Sequence, residues 1–359
     1  MIPRICLVPR LSGVGGMVSF QHKLAAGLTG RGIEVCYDLA DNPYQAVLVI
    51  GGTRQLAGLW RARRQHIPVV QRLDGMNWLH RLPSGGGLPR SGLRHFLRAE
   101  YGNWLLSWLR TRLASHIVYQ SEFVRGWWER IRGPSLVQST VIYNGVDLSF
   151  YTPQGPETPP PDYIRLLLVE GSLMGGYEQG LQAAVELAKQ LAGKLDGTEA
   201  LQVELMIVGR VPAEVEWHWE SRLSQVDPEK RVKLTWFGLV GHDQIPAIDR
   251  SAHLLYSSDV NAACPNSVIE ALACGLPVVA FDTGAIPELL AGDAGRVAPF
   301  GGDPWRLDPP NIPALVDAAE EILDDLTRFR LGARSRAEAA FGLDGMVDAY
   351  LEVLLGEKP

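Results

Sequence analysis

The residues best suited to chemistry lie in one run, Cys264-Pro265-Asn266-Ser267-Val268-Ile269-Glu270-Ala271-Leu272-Ala273-Cys274-Gly275-Leu276-Pro277-Val278-Val279-Ala280. Proline and asparagine at its start and Gly275 after it predict a short helix, and the apolar residues that follow predict a buried strand. The first backbone N–H groups of a helix have no intrahelical partner, so those near Ser267 and Val268 form an anion site that the helix dipole strengthens. Glu270 lies one turn in. A carboxylate there accepts both hydroxyls of a ribose, or it complements the dipole as an ordinary first-turn acid, and residue types alone leave both readings open. The glycine run after the first apolar segment, Gly13-Val14-Gly15-Gly16-Met17-Val18, lacks the third glycine of the dinucleotide fingerprint and counts against a dehydrogenase.

The elements that must position this helix read as alternating strands and helices, the pattern of α/β domains with parallel sheets. Strands are predicted over 4–8, 33–39, 46–50, 67–72, 116–119 and 140–143, and again over 164–169, 203–208, 232–237, 253–256, 277–281 and 295–298. Between the two sets, residues 151–161 carry five prolines without hydrophobic periodicity, which predicts a linker. The expected organisation is a domain over 1–150, a Pro-rich linker over 151–162, a second domain over 163–340, and a C-terminal helical segment over 341–359 that crosses back to the first. Two such halves place a ligand cleft between the carboxyl ends of their sheets.

Length and composition agree: 359 residues, 46% hydrophobic and 21% charged, supply two ordinary globular cores. No apolar run is long enough to span a membrane, and Met1 to Val8 reads as a first strand, not as a signal segment. Cys6, Cys36, Cys264 and Cys274 have no metal-ligand spacing and are expected as buried free thiols, which points to a reducing cytoplasm. The net charge of −6 hides an asymmetry: residues 1–150 hold 18 Lys and Arg against 8 Asp and Glu, and residues 151–359 hold 16 against 32. A basic half of that kind suits an anionic surface, a phosphorylated acceptor or a nucleic acid, or is plain solvated charge.

The run at 264–280, followed by Phe281-Asp282-Thr283-Gly284-Ala285-Ile286-Pro287-Glu288-Leu289, resembles the donor-binding signature of the family-4 glycosyltransferases, the glycosyl transferases of group 1. Val141-Ile142-Tyr143-Asn144-Gly145-Val146-Asp147 resembles the motif that ends the family's first domain. Gly13 to Gly16 resembles its glycine loop, and Ile207-Val208-Gly209 and Trp236-Phe237-Gly238 resemble two of its strand endings. The resemblance implies the GT-B fold, two Rossmann-like parallel-sheet domains facing a central cleft, and transfer of a sugar from a nucleoside diphosphate to an acceptor hydroxyl with retained anomeric configuration.

It also implies roles, position by position. Glu270 holds the ribose hydroxyls, Asn266, Ser267 and Val268 present amides to sugar and phosphates, and Pro265 opens that donor-binding helix. Gly15 and Gly16 let backbone approach the diphosphate or the transferred sugar. Asp74 stands where a polar group meets the reacting carbon, although Asp before Gly75 is also an ordinary turn residue; His80 is a weaker candidate. The implied donor is a UDP- or GDP-sugar and the acceptor a glycan or lipid-linked sugar. No cofactor, metal or nucleic acid is implied.

This chain departs from the family pattern at three positions. Ala262 replaces the first glutamate of the paired motif, and Ser172 and Gln179 stand where an arginine and a lysine usually hold the diphosphate. Gly175 and Gly176, through backbone amides, or Arg210 are the expected substitutes. These losses leave room for a non-catalytic nucleotide-sugar binder, and another enzyme of the same fold, such as an epimerase or a hydrolase, is the remaining rival. In the basic half, Arg90, Arg94, Arg98, Arg110 and Arg112 interleave with Phe96, Trp104, Leu105, Leu106, Trp108 and Leu109. That pattern fits an amphipathic helix resting on the cytoplasmic face of an anionic membrane, or an ordinary helix with its apolar face in the core.

Overall fold

A computed structural model describes residues 2–13, 15–82, 92–173, 178–194, 202–227, 229 and 231–356. The chain divides into two compact units, Met1–Gly145 with Leu343–Pro359, and Val146–Gly342. The first contains strands β1 (Arg4–Val8), β2 (Glu34–Cys36), β3 (Ala46–Ile50), β4 (Val69–Leu73), β5 (His116–Tyr119) and β6 (Gln138–Val141). They form one parallel sheet in the order β2-β1-β3-β4-β5-β6. Its helices are α1 (Gly16–Gly30), α2 (Leu56–Arg64), α3 (Gly92–Arg112) and α4 (Glu122–Arg132).

The second unit contains β7 (Ile164–Ser172), β8 (Val203–Arg210), β9 (Val232–Gly238), β10 (Leu254–Ser257), β11 (Val278–Phe281) and β12 (Gly295–Ala298). Their order is β12-β11-β10-β7-β8-β9, again all parallel. Around this sheet lie α5 (Glu178–Lys194), α6 (Ala213–Val226), α7 (Ile245–Arg250), α8 (Asn266–Ala273), α9 (Ile286–Leu289), α10 (Ile312–Asp324) and α11 (Leu326–Ala340). Each of the twelve predicted strands is present. The sixth begins two residues earlier than its apolar run, at Gln138, because pairing with β5 extends into the polar Gln138-Ser139-Thr140 segment.

The central strands are apolar on both faces because helices cover both. β1, β3, β4, β10 and β11 are buried almost throughout, which is why they are mostly apolar in sequence; β4 also buries Gln71 and Arg72. The last helix, α12 (Leu343–Leu355), belongs to the first unit. Its Met346, Val347, Tyr350, Leu351 and Leu354 complete the core around Ile5, Leu7 and Leu48. Gly27 on α1 has no side chain to separate the helices, since a Cβ there would lie 2.5 Å from Val347. Arg31 closes the contact with ion pairs to Asp344 at 3.1 Å and Asp348 at 2.7 Å.

The division between units falls at Gly145/Val146, ahead of the Pro-rich stretch that reads as a linker. That stretch is anchored within the second unit. Arg250 forms an ion pair with Glu157 at 2.6 Å and donates to the Thr152 carbonyl at 3.2 Å, and Tyr151 is buried. Proline supplies no N–H, so polar side chains from α7 and α11 hold this segment in place of a backbone ladder.

Candidate functional site

In each sheet the chain reverses its direction of winding once, between β1 and β3 in the first and between β7 and β10 in the second. The carboxyl ends of strands at such a reversal are open, because the flanking helices diverge there. In the second unit this position is occupied by the end of β7 and by the loop from Ser258 to Pro265 that leads into α8.

Pro265 caps α8 with extended backbone and no side-chain hydrogen bond, so the first N–H groups of the helix have no cap from that side chain. Asn266 and Ser267 are partly exposed, while Val268 is buried. At the other end Gly275 takes a left-handed φ of 68°. Its N–H bonds the Leu272 carbonyl at 3.0 Å, and that of Leu276 bonds Ala271 at 2.9 Å, the paired closure that ends helices at glycine. The loop before α8 is fixed by the turn at 282–285. Gly284 lies so close that a Cβ would sit 2.4 Å from the Ala262 nitrogen, and the Ala285 N–H donates to the Ala262 carbonyl at 2.8 Å. Glycine in this turn is therefore required by close backbone approach.

Ser172 and Arg210 are cross-strand partners at the ends of β7 and β8. Arg210 is exposed, and its guanidinium has no ion pair among the described residues. Gln179, at the position of the expected lysine, donates its amide to the Leu307 and Asp308 carbonyls, both at 3.1 Å. Gly175, Gly176 and Arg90 lie outside the described residues.

Two acids that the sequence does not single out meet at this edge. Glu170 near the end of β7 accepts from the Ser258 hydroxyl at 2.6 Å, and Asp259 is the next residue. Burial, then the Asp259 charge, pushes the Glu170 carboxyl up to about 8, and burial holds Asp259 above the usual carboxylate range. Glu270 itself is only 6% exposed. Among the described residues no group of three or more His, Cys, Asp or Glu is placed to hold a metal ion.

In the first unit Gly15 caps α1 and Gly16 begins it. Asp74 follows β4 in a partly exposed turn, held from behind by the Trp128 indole, which donates to the Asp74 carbonyl at 2.7 Å. His80 is committed to structure. Its Nε2 lies 2.8 Å from Glu100, and its ring packs edge-on against Phe96. Arg81, and after it His80, hold the Glu100 carboxyl down at about 2 against the opposing effect of burial. All four cysteines are buried free thiols.

Residues 165–325 match the family model described as Glycosyl transferases group 1. The match falls wholly within the second unit and spans β7 to the end of α10. Among solved structures, sucrose-phosphate synthase from Thermosynechococcus elongatus is similar at a TM-score of 0.71 and 14% identity, covering 99% of this chain and 100% of that one. Anabaena HepE in complex with UDP-glucose is similar at 0.67 and 18% identity, with coverage of 99% and 100%. WaaG, a glycosyltransferase involved in lipopolysaccharide biosynthesis, is similar at 0.64 and 14%, with the same coverage. No curated protein matches the chain. The family match supports a group 1 glycosyltransferase, and the full-length structural likeness fits the GT-B fold class.

The acid pair makes stability pH-dependent. A carboxyl whose folded pKa is raised contributes stability that is complete below its unfolded pKa and is lost as pH rises through the folded value. Unfolding by urea should show the protein less stable at about pH 9 than at about pH 6, with Glu170→Gln shrinking that loss by about 1–3 kcal/mol. An unchanged loss in the variant would show that Glu170 does not titrate between those pH values.

Proposed function

We propose that this protein transfers a sugar from a nucleoside diphosphate to an acceptor hydroxyl with retained configuration, using its second unit to bind the donor. The observation that carries the reading is the start of α8, a helix N-terminus opened by Pro265 at the winding reversal of the sheet, with Glu270 one turn in. In this reading the amides of Asn266, Ser267 and Val268 face the diphosphate, and Pro265 sets the helix entry. Arg210, beside Ser172, supplies the charge that the family's arginine and lysine would otherwise give. Glu270 accepts the ribose hydroxyls.

Rate acceleration then comes from positioning and from stabilising the departing diphosphate by preorganised donors, without a metal or cofactor. Asp74 serves the reacting carbon, and the glycines at 15 and 16 admit the diphosphate or sugar near the first turn of α1. A UDP-sugar is the favoured donor, because Anabaena HepE, similar over its full length, is described in complex with UDP-glucose. The acceptor is a glycan or a lipid-linked sugar.

Substitution of Ser267 by Asp tests this directly. A carboxylate at a helix start stabilises the fold by about 0.3–1 kcal/mol but occupies the place of the phosphate. UDP affinity and sugar release from UDP-glucose should both fall about tenfold or more while the melting temperature holds or rises. Unaltered UDP binding would show that the anion lies elsewhere.

A lipid-linked acceptor is favoured by α3. Its Ala99, Asn103, Leu105 and Leu109 are buried in the first unit, yet Leu93, Leu97, Tyr101 and Trp104 form a second, exposed stripe at helical spacing. Tyr101, Trp104 and Trp108 stack in succession, with centroids 6.0 and 6.4 Å apart, and Arg94 and Arg98 flank them. Aromatic rings beside arginines suit the interface of an anionic bilayer. Among the described residues no helix is long and apolar enough to cross one. The protein should co-sediment with phosphatidylglycerol vesicles at low salt, and Trp104→Ser with Arg98→Ser should weaken this severalfold. No co-sedimentation of the native protein would remove the membrane contact.

A further inference from the structure

The chain leaves β4 at Leu73 and runs through residues 74–78 without regular structure before a single 3₁₀ turn at Leu79–Arg81. A backbone with no ladder or helix must find other partners for its N–H and C=O groups. Here side chains of α3 and α4 supply them. The Trp128 indole on α4 donates to the Asp74 carbonyl at 2.7 Å, and the Trp127 ring lies so close to Gly75 that a Cβ there would be 2.5 Å from it. Asn103 on α3 meets Asn77 with both ends of its amide. Its Oδ1 accepts from the Asn77 N–H at 2.9 Å, and its Nδ2 donates to the Asn77 carbonyl at 2.8 Å. His80 at 2.8 Å and Arg81 at 2.6 and 2.9 Å then converge on Glu100, three residues before Asn103 and so on the same side of α3.

Asn103 is costly where it stands. Asparagine is a poor helix former, and an amide side chain only 1% exposed needs partners at both ends. The loop provides both, in the manner of one hydrogen-bonded rung of an antiparallel ladder. Asn103 therefore serves the loop and not the helix that carries it. Asp74 shows the complementary pattern. Its carbonyl is held, yet its carboxylate makes no hydrogen bond or ion pair among the described residues. An aspartate that only closed the turn would direct its carboxylate to the backbone N–H two residues on, and this one does not.

We infer that Asn103 is a positioning residue for the reaction: by holding the backbone of Asn77 it sets the loop after β4, and with it the place of the Asp74 carboxylate. The inference rests on the reading of Asp74 as the group that serves the reacting carbon. A displacement of about 1 Å at such a group costs up to about a hundredfold in rate, so a contact remote from the chemistry governs kcat more than substrate affinity. The Asn77 side chain adds only a 3.4 Å approach of its Nδ2 to Asn103 Oδ1, and the hold is on the main chain.

The test is steady-state release of glucose and UDP from UDP-glucose, with water as acceptor, by the full chain and by Asn103→Leu, Asp74→Asn, their double variant and Asn77→Ala. Asn103→Leu should lower kcat about tenfold or more, with KM for UDP-glucose within about twofold. In the Asp74→Asn background the same change should add less than about twofold, because Asn103 acts through Asp74. Asn77→Ala keeps the main-chain hold and should stay within about twofold of native kcat. Amide exchange on the native protein requires no variant to fold: the Asn77 N–H should exchange at least about tenfold more slowly than an unpaired loop amide. Undiminished kcat in Asn103→Leu, losses that multiply in the double variant, an equal loss in Asn77→Ala, or free exchange at Asn77 each overturns the role of Asn103 and leaves Asp74 and the donor site standing. Native kcat in Asp74→Asn overturns the reading of Asp74 and the inference together. No release by the native protein overturns both, along with the transfer reading.

Discussion

A parallel sheet covered on both faces by helices can offer polar groups to a ligand only at its strand ends. Both units of this protein live under that constraint. Their central strands are buried almost throughout, and the candidate donor groups of the second unit lie at the carboxyl ends of β7, β8 and β10 or in the helix that follows β10. Within that edge, the approach of Gly284 to Ala262 fixes the loop before α8, and the Gly275 closure fixes the end of α8. The helix is only eight residues long, so its start is located by these two packed turns more than by its own stability.

The same constraint explains the acids. Glu170 and Asp259 lie on strands that become neighbours only because the chain reverses its winding between β7 and β10. Ser258 donates to Glu170, and burial with the Asp259 charge raises the Glu170 carboxyl, an arrangement with no counterpart in the pattern of any local segment. Where typical relatives are expected to place cations, this edge has Ser172 and a Gln179 tied to backbone carbonyls. Its candidate anion partners are therefore backbone amides and Arg210.

Much of this was legible in the residues. Strands buried on both faces announce themselves as Val, Ile and Leu runs, and all twelve were read, with errors confined to edges such as β6, where polar residues join the ladder. The α8 segment was legible because proline, glycine and an apolar face coincide within a few residues. The Pro-rich stretch was misleading in one respect: proline signals a break in regular structure, but it says nothing about whether side chains such as Arg250 and Arg334 pin the segment down. Contacts between residues far apart in sequence, Arg334 with Tyr151 and Ala273 and Glu170 with Ser258, left no trace in spacing, since no periodicity links them.

The account depends on α8 being a nucleotide-binding helix. The most direct measurement is a calorimetric titration of the native protein and of Glu270→Ala with UDP, GDP, ADP and TDP in turn. One nucleotide should bind clearly better than the others, and Glu270→Ala should weaken it by about tenfold or more, the loss of hydroxyl bonds to a charged acceptor. Binding of none of the four, or binding that Glu270→Ala leaves unchanged, would contradict the assignment of the donor site.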